Sequence, residues 1–219
     1  MDFVTDGLRG FVLGVLIIAF PSGSYANEER KNQIVDSYES YREAVRYSDG
    51  QLAADLMASK TLRFFEKARE LALYGNRKQL LEVPFIVRMY ALLMRGTQGF
   101  EVLESADAKD IFINMVSQGA ISIHALDKVV LKSVEHSEYM AKITFSIENM
   151  IYPEPMIFVF EEHRWRFHLY GFMKFSLGAL EESWVNAGVD TNHMLMTMVE
   201  NVVQRPVSDG IWDTDPDGW

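Results

Sequence analysis

The spacing of apolar residues along this chain changes at Gly119. Before it, apolar residues recur at intervals of three and four, which is typical of one face of a helix; after it they alternate, which is typical of a strand. Because the helices and strands are grouped instead of alternating, the pattern predicts an α+β fold, with a helical N-terminal half packed on a curved antiparallel sheet of about four strands. Two closing C-terminal helices are predicted over 177–189 and 191–203.

The predicted N-terminal helices follow from apolar stripes and breaks. Ile34, Tyr38, Tyr41 and Val45 form the stripe of the first helix. Ser59 is expected to cap a longer helix, and Pro84 to start or bend a later one. The predicted helices cover 28–47, 50–57, a segment from 59 to about 74, 78–95 and 100–118.

The predicted strands form an antiparallel meander. Apolar and polar residues alternate over 141–147, and the segment 156–160 is apolar on both faces, as in a central strand. This pattern places Phe145 and Trp165 on the buried face of the sheet. The four predicted strands cover 129–134, 141–147, 156–160 and 165–170.

Charge and cysteine content exclude several classes of protein. The chain has 21 Lys and Arg against 31 Asp and Glu, a net charge of -10, so its field repels phosphate backbones and argues against a nucleic-acid partner. An acidic surface suits a basic protein partner only if the charge gathers in one patch. The absence of cysteine excludes disulfides, thiol catalysis and cysteine-bound metal centres.

The first 26 residues predict an export signal. The apolar run over 11–20 is about half the length that spans a bilayer, and Ser24-Tyr25-Ala26 follows a helix-breaking segment. Cleavage after Ala26 predicts a periplasmic or secreted protein with no stable membrane anchor. Asp2 and Asp6 are unusual ahead of such a run, and the alternative is a buried N-terminal helix or strand. The mature chain is then one domain over 27–205 with an acidic tail over 206–219.

Two segments carry a resemblance to a known family. The first is the YxxYxxAV motif from Tyr38 to Val45, followed by Asp49-Gly50 and a short helix; the second is the sequence FVFEEHRWRFHL over 158–169. Together they resemble the nuclear transport factor 2-like superfamily of cone-shaped domains, over roughly residues 28–175. The resemblance implies either a small isomerase-like or dehydratase-like enzyme or a non-catalytic binding domain, and fold alone does not choose between them.

The candidate ligand-binding residues are aromatic. Tyr38, Tyr41 and Tyr90 could present hydroxyls to a pocket between helices and sheet, with the hydroxyls of Tyr38 and Tyr41 at its mouth, and Trp165 could line it. The alternative for all four is ordinary core packing. The inward strand faces offer no carboxylate base of the kind that an isomerase needs, so the catalytic residues remain unknown.

Metal and cofactor motifs are weak. The chain has no HExxH, P-loop, dinucleotide-binding or GxSxG motif, and His163 with His168 is a poor two-ligand arrangement. Residues 213–218 match the first half of an EF-hand loop, but the chain ends before the glutamate at loop position twelve, which favours a solvated acidic tail. We therefore expect no metal and no cofactor.

These observations predict an exported, non-enzymatic binding or accessory domain that holds a small apolar molecule or a protein partner. The alternative is a small-molecule enzyme of isomerase or lyase type that uses a cone-shaped pocket. An enzyme requires a titratable group with a strongly shifted pKa inside a pocket, whereas a binding domain requires only an apolar cleft.

Overall fold

The computed structural model describes residues 22–121 and 126–215 and confirms the α+β prediction. Helices precede and follow an open antiparallel sheet, in which β1, β2, β4 and β5 are neighbours in that order and the short β3 pairs with β2. The strands are β1 (Val129–His136), β2 (Met140–Ile147), β3 (Met150–Ile151), β4 (Met156–Glu161) and β5 (Arg164–Phe167).

The helices agree with the apolar stripes but differ from the predicted segments in internal breaks and in their ends, and the helix predicted over 177–189 begins at Leu169. Among the described residues, the α-helices are α1 (Ser22–Arg46), α2 (Gly50–Asp55), α3 (Ser59–Tyr74), α4 (Arg77–Glu82), α5 (Phe85–Gln98), α6 (Phe100–Ser105), α7 (Ala108–Ser117), α8 (Leu169–Asn186) and α9 (Thr191–Val203). The predicted cleavage site after Ala26 falls in α1, and the apolar run over 11–20 lies outside the described residues.

Three predicted segments are divided differently in the structure. The helix predicted over 78–95 is α4 and α5, and Pro84 directly precedes α5, so it starts the main part, which is one of the two alternatives predicted. The helix predicted over 100–118 is two helices, because the Asp107 side chain accepts from the main-chain N–H groups of Lys109 and Asp110 and starts a new helix there. The strand predicted over 165–170 ends at Phe167, and Leu169 already belongs to α8.

The sheet has one buried face, as the alternation predicts. Ala141, Ile143 and Phe145 of β2 are buried, and so are Trp165 and Phe167 of β5. On the opposite face, large apolar side chains such as those of Val130 and Met140 are exposed. The register places Phe158 opposite Phe167 and Phe160 opposite Trp165, so aromatic rings from the two strands meet on the buried face.

Helix α1 lies on this buried face. The Tyr41 ring packs edge-on against Phe167 with ring centroids 5.3 Å apart, and Ser37 Oγ donates to the main-chain oxygen of Trp165 at 2.8 Å. At the C-terminal end of α1, the Arg46 guanidinium pairs with the Asp127 carboxylate at 2.6 Å. The apolar stripe of α1 is therefore covered by the sheet.

The segment between α2 and α3 closes the outer edge of β5. The N–H of Phe167 donates to the oxygen of Leu56, and the N–H of Ala58 donates to the oxygen of Phe167. Ser59 was predicted to cap α3, but it is the first residue of that helix, and the Glu161 carboxylate takes the capping role: its oxygens accept from Ser59 N–H at 2.9 Å and Ser59 Oγ at 3.0 Å.

Part of the segment predicted as a solvated tail packs against the domain. Asp209–Trp212 forms a 3₁₀ turn in which Ile211 and Trp212 are buried. The buried Arg95 guanidinium donates to the main-chain oxygen of Ile211 at 2.7 Å, and Arg77 pairs with the Asp209 carboxylate at 2.5 Å. Apolar burial, a main-chain hydrogen bond and an ion pair thus hold this turn against the domain.

Candidate functional site

All four candidate ligand-binding residues lie in the buried core. Tyr38 and Tyr41 are fully buried on α1, and Tyr90 is buried on α5, where its hydroxyl contacts Met173 Sδ at 2.9 Å. The hydroxyls of Tyr38 and Tyr41 have no hydrogen-bond partner among the described residues. The prediction that these two hydroxyls lie at a wet rim is wrong, because positions 38 and 41 are at the centre of the stripe that the sheet covers.

Burial sets the protonation state of these tyrosines. It raises the pKa of each hydroxyl well above its ordinary value, and the neighbouring Tyr90 and Tyr38 raise the pKa of Tyr41 further. The structure thus brings the three predicted tyrosines together as neutral groups inside the protein. Their ligand-binding role stays a prediction, and their placement favours packing.

Trp165, the fourth candidate, lies at a groove between α1 and the β4–β5 hairpin, which we call the hairpin groove. Its side chain is 4% exposed, and Nε1 has no hydrogen-bond partner among the described residues. The Phe160 ring lies beside it, with centroids 5.3 Å apart and an interplanar angle of 60°. The indole is thus held by its cross-strand neighbour on the groove floor.

The wide part of the hairpin groove has a volume of about 440 Å³. Leu56, Phe160 and Trp165 supply its apolar lining. The wall from α1 carries polar side chains, and the hairpin turn closes one end with His163 and Arg164. The wall residues of α1 are Gln33, Asp36, Ser37 and Ser40.

The narrow part has a volume of about 120 Å³ and shares Gln33, Phe160 and Trp165 with the wide part. Its remaining lining residues are Arg30, Glu138 and Tyr139. The two parts are therefore neighbours on either side of these three residues.

The hairpin turn has the geometry of a tight two-residue turn. Glu162 and His163 have φ values of 48° and 63°, as a two-residue turn with both central residues in the left-handed region requires. This turn places Arg164 directly before Trp165, so a charged side chain and the buried indole are adjacent in the same strand.

Sequence reasoning named Trp165, whose ligand-binding role stays a prediction, and did not name the α1 wall. Gln33, Ser37 and Ser40 lie one position from the apolar stripe at Ile34, Tyr38 and Tyr41, on the side of the helix that meets the hairpin. The signal that could have located them is the presence of small or neutral polar residues beside the stripe, where other flanks of α1 carry charges. That signal is weak without the position of the hairpin.

A second groove, of about 280 Å³, lies among α4, α9 and the C-terminal 3₁₀ turn. Arg77, Trp212 and His193 line it, but Arg77 already pairs with Asp209 and the Asp190 side chain already caps α9. Because these charged side chains already form an ion pair and a helix cap, this groove is the weaker candidate for a ligand-binding site.

No group of three His, Cys, Asp or Glu side chains within 22–121 and 126–215 could hold a metal ion. Of the residues in the EF-hand-like segment, Asp213 lies 3.8 Å from Arg77 across an ion pair, and Asp217 lies outside the described residues. Within the same described ranges, no helix is long and apolar enough to cross a membrane.

A scan of the chain against protein-family models gave no match, and searches of curated proteins and of solved structures returned no similar chain. The resemblance to the nuclear transport factor 2-like superfamily stays a prediction.

Proposed function

We propose that this chain is an exported, non-enzymatic binding or accessory domain that holds its partner in the hairpin groove. The observation that carries the proposal is the Trp165 indole: a buried donor without a protein partner, at the floor of a groove lined by Phe160 and Leu56. Buried indole N–H groups in proteins generally donate to an acceptor, because a buried donor without a hydrogen bond costs free energy. Nε1 itself has almost no accessible surface, so a partner that carries an acceptor must turn the indole toward the groove. Such a partner would gain both a hydrogen bond and apolar contact.

The volume and charge of the groove support a binding role. Its wide part, about 440 Å³, falls within the range of known ligand sites. Its lining combines carboxylates and guanidinium groups, so it does not select for a strongly charged ligand. Together with the overall net charge of -10, this argues for a neutral or mixed-charge partner and against nucleic acid.

The two segments that carry the family resemblance belong to the elements that form the groove, and within residues 38–45 only Ser40 lines it. The YxxYxxAV motif lies on α1, and the FVFEEHRWRFHL segment forms the β4–β5 hairpin. Non-catalytic binding domains are one of the two classes that the resemblance implies. The proposal of export rests on the apolar run over 11–20 and on Ser24-Tyr25-Ala26.

The rival hypothesis, an isomerase or lyase, needs a carboxyl base whose pKa is raised in an apolar pocket. The carboxyl groups that line the hairpin groove belong to Asp36 and Glu138, and both residues are exposed to solvent. Neither therefore lies in the apolar surroundings that such a base requires. We therefore favour binding over catalysis.

The test blocks the groove with a bulky side chain. Ser40 is exposed on α1 and lines the groove, so Ser40→Trp should fill it without disturbing the core. The purified protein is incubated with the extracytoplasmic extract of its source cells, and bound molecules are identified by native mass spectrometry. We expect the wild type to retain a small molecule or a protein. The amount of this molecule bound to Ser40→Trp should be at least about tenfold lower.

The matched control is Asn32→Trp, which adds the same side chain at an exposed position of α1 outside the groove. It should bind like the wild type. Equal retention by Ser40→Trp and the wild type would show that binding occurs elsewhere, and release of the bound molecule in a chemically altered form would support the rival enzyme.

A further inference from the structure

We propose that the hairpin groove takes an extended peptide segment of four or five residues that carries one large apolar side chain. The inference rests on the proposed binding function and specifies its partner. The apolar side chain lies on the floor formed by Phe160 and Leu56. A main-chain carbonyl of the peptide accepts from Trp165 Nε1, which is buried in the free protein and reaches the groove surface through a rotation of the indole.

The length of the groove fits such a segment. Arg30 lines the narrow part and Ser40 the wide part, and these residues are ten positions apart on α1. At about 1.5 Å of rise per helical residue, the stretch of α1 that lines the two parts is about 15 Å long. An extended chain covers that distance with four or five residues at about 3.3 Å each.

The polar groups along the groove suit a peptide main chain. Within the described parts of the chain, the side chains of Gln33 and Ser40 have no hydrogen-bond partner. A carboxamide and a hydroxyl both donate and accept, so they match the alternating N–H and C=O groups of an extended chain. The Trp165 indole only donates, so it selects a carbonyl.

The charges at the ends oppose a simple anion or cation. Arg30 and Glu138 lie at the narrow end, and Asp36 and Arg164 lie at the wide end. Each end thus presents both signs and accommodates the polar or charged side chains that flank an apolar residue in a peptide.

The open shape of the groove also favours a peptide over a small apolar molecule. Gln33, Asp36 and Arg164 on its walls are exposed to solvent. Small-molecule sites enclose most of the ligand surface, whereas a groove of this kind covers one side of an extended chain. Small apolar ligands are therefore the competing outcome of the test.

The experiment selects binders from a random seven-residue peptide library displayed on phage, using the full chain, and discards peptides that also bind Ser40→Trp. The strongest peptide is synthesised, and its affinity is measured by calorimetry. We expect the peptide to bind the wild type and Asn32→Trp with equal affinity, and to bind Ser40→Trp at least about tenfold more weakly. Trp165→Phe keeps an aromatic ring and removes the N–H, so its affinity for the peptide should fall by about three- to tenfold. Because Ser40 is exposed, its variant tests the site even if Trp165→Phe is poorly folded.

The same variants are titrated with 1-anilinonaphthalene-8-sulfonate as an apolar probe. One outcome is that no peptide is selected, while the probe binds the wild type and does not bind Ser40→Trp. The groove is then a small-molecule site, so the peptide inference is overturned and the proposed binding function stands. If neither the peptides nor the probe bind the groove, both fail. A selected peptide whose affinity is unchanged in Ser40→Trp also overturns the inference.

Discussion

At the residue scale, Arg95 joins segments that are far apart in the sequence. Its guanidinium is 1% exposed and donates to the main-chain oxygens of Ala72, Gly75 and Ile211, at 2.7, 2.5 and 2.7 Å. Burial lowers the pKa of Arg95 to about 10, which still leaves the group charged at neutral pH. It therefore ties the end of α3 to the C-terminal turn.

Replacing Arg95 with methionine keeps the apolar stem and leaves these buried oxygens without their donor. We expect a loss of about 3 kcal/mol or more in the free energy of unfolding, because each unsatisfied buried group costs about 1–3 kcal/mol. Urea unfolding measures the loss. Arg63→Met, at an exposed position of α3, should change stability by less than about 0.5 kcal/mol; equal losses in the two variants would argue against the proposed role of Arg95.

Phe145 and Trp165 test the assignment of the buried sheet face. Truncation of either to alanine removes a buried ring, and we expect a cost of about 3–5 kcal/mol in urea unfolding. Val130→Ala on the opposite face, where the side chain is 54% exposed, should cost below about 1 kcal/mol. Losses of that small size for Phe145 or Trp165 would mean that the faces are reversed.

His168 gives the protein a pH dependence of known sign. Burial, and secondarily the Lys60 charge, lower the pKa of His168, while Glu161 opposes this shift. The unfolded chain therefore takes up a proton at a higher pH than the folded chain, so stability is lost as the pH falls below about 6.5 towards the folded-state pKa.

The melting temperature should accordingly drop between about pH 7.5 and pH 5, and the drop should be smaller in His168→Gln, which cannot titrate at this position. The carboxyl groups are common to both proteins, so the difference between the two profiles isolates His168. Parallel profiles would show that His168 does not contribute.

At the element scale, the N-terminus of α3 depends on a residue about 100 positions away. The Glu161 carboxylate accepts hydrogen bonds from the N–H and the hydroxyl of Ser59. Its negative charge also interacts favourably with the positive, N-terminal end of the α3 dipole. Glu161→Ala should cost about 1–2 kcal/mol in urea unfolding, as loss of a helix cap does. Glu70→Ala, an exposed glutamate on the same helix, is the control; if it costs as much as Glu161→Ala, the loss comes from general charge effects.

Helices and strands were predictable as elements because each has a clear apolar period. Thr191–Val203 agrees with its predicted bounds, and Met140–Ile147 begins one residue earlier than predicted. The break at Asp107 was missed because the apolar positions on both sides of it fit one stripe. The end of β5 was missed because Phe167 and Leu169 also fit alternation, although the chain turns into α8 between them.

At the scale of the whole molecule, the α+β class followed from the order of the periods, whereas the hairpin groove did not. The groove forms because α1 crosses the β4–β5 hairpin, and this contact joins residues more than 100 positions apart, such as Ser37 and Trp165. A local pattern carries no information about that crossing. Burial of Ile211 and Trp212 was missed for the same reason, since their partners lie on distant helices.

The most direct test of the binding proposal is the indole N–H signal of Trp165 in a ¹⁵N–¹H correlation spectrum. The chain has four tryptophans, so Trp165→Phe identifies this signal by its loss. Titration with the selected peptide should move the Trp165 signal, because its N–H gains an acceptor, and should leave the signals of Trp184 and Trp212 in place. A bound peptide that moves other signals and leaves the Trp165 indole unchanged would contradict the account.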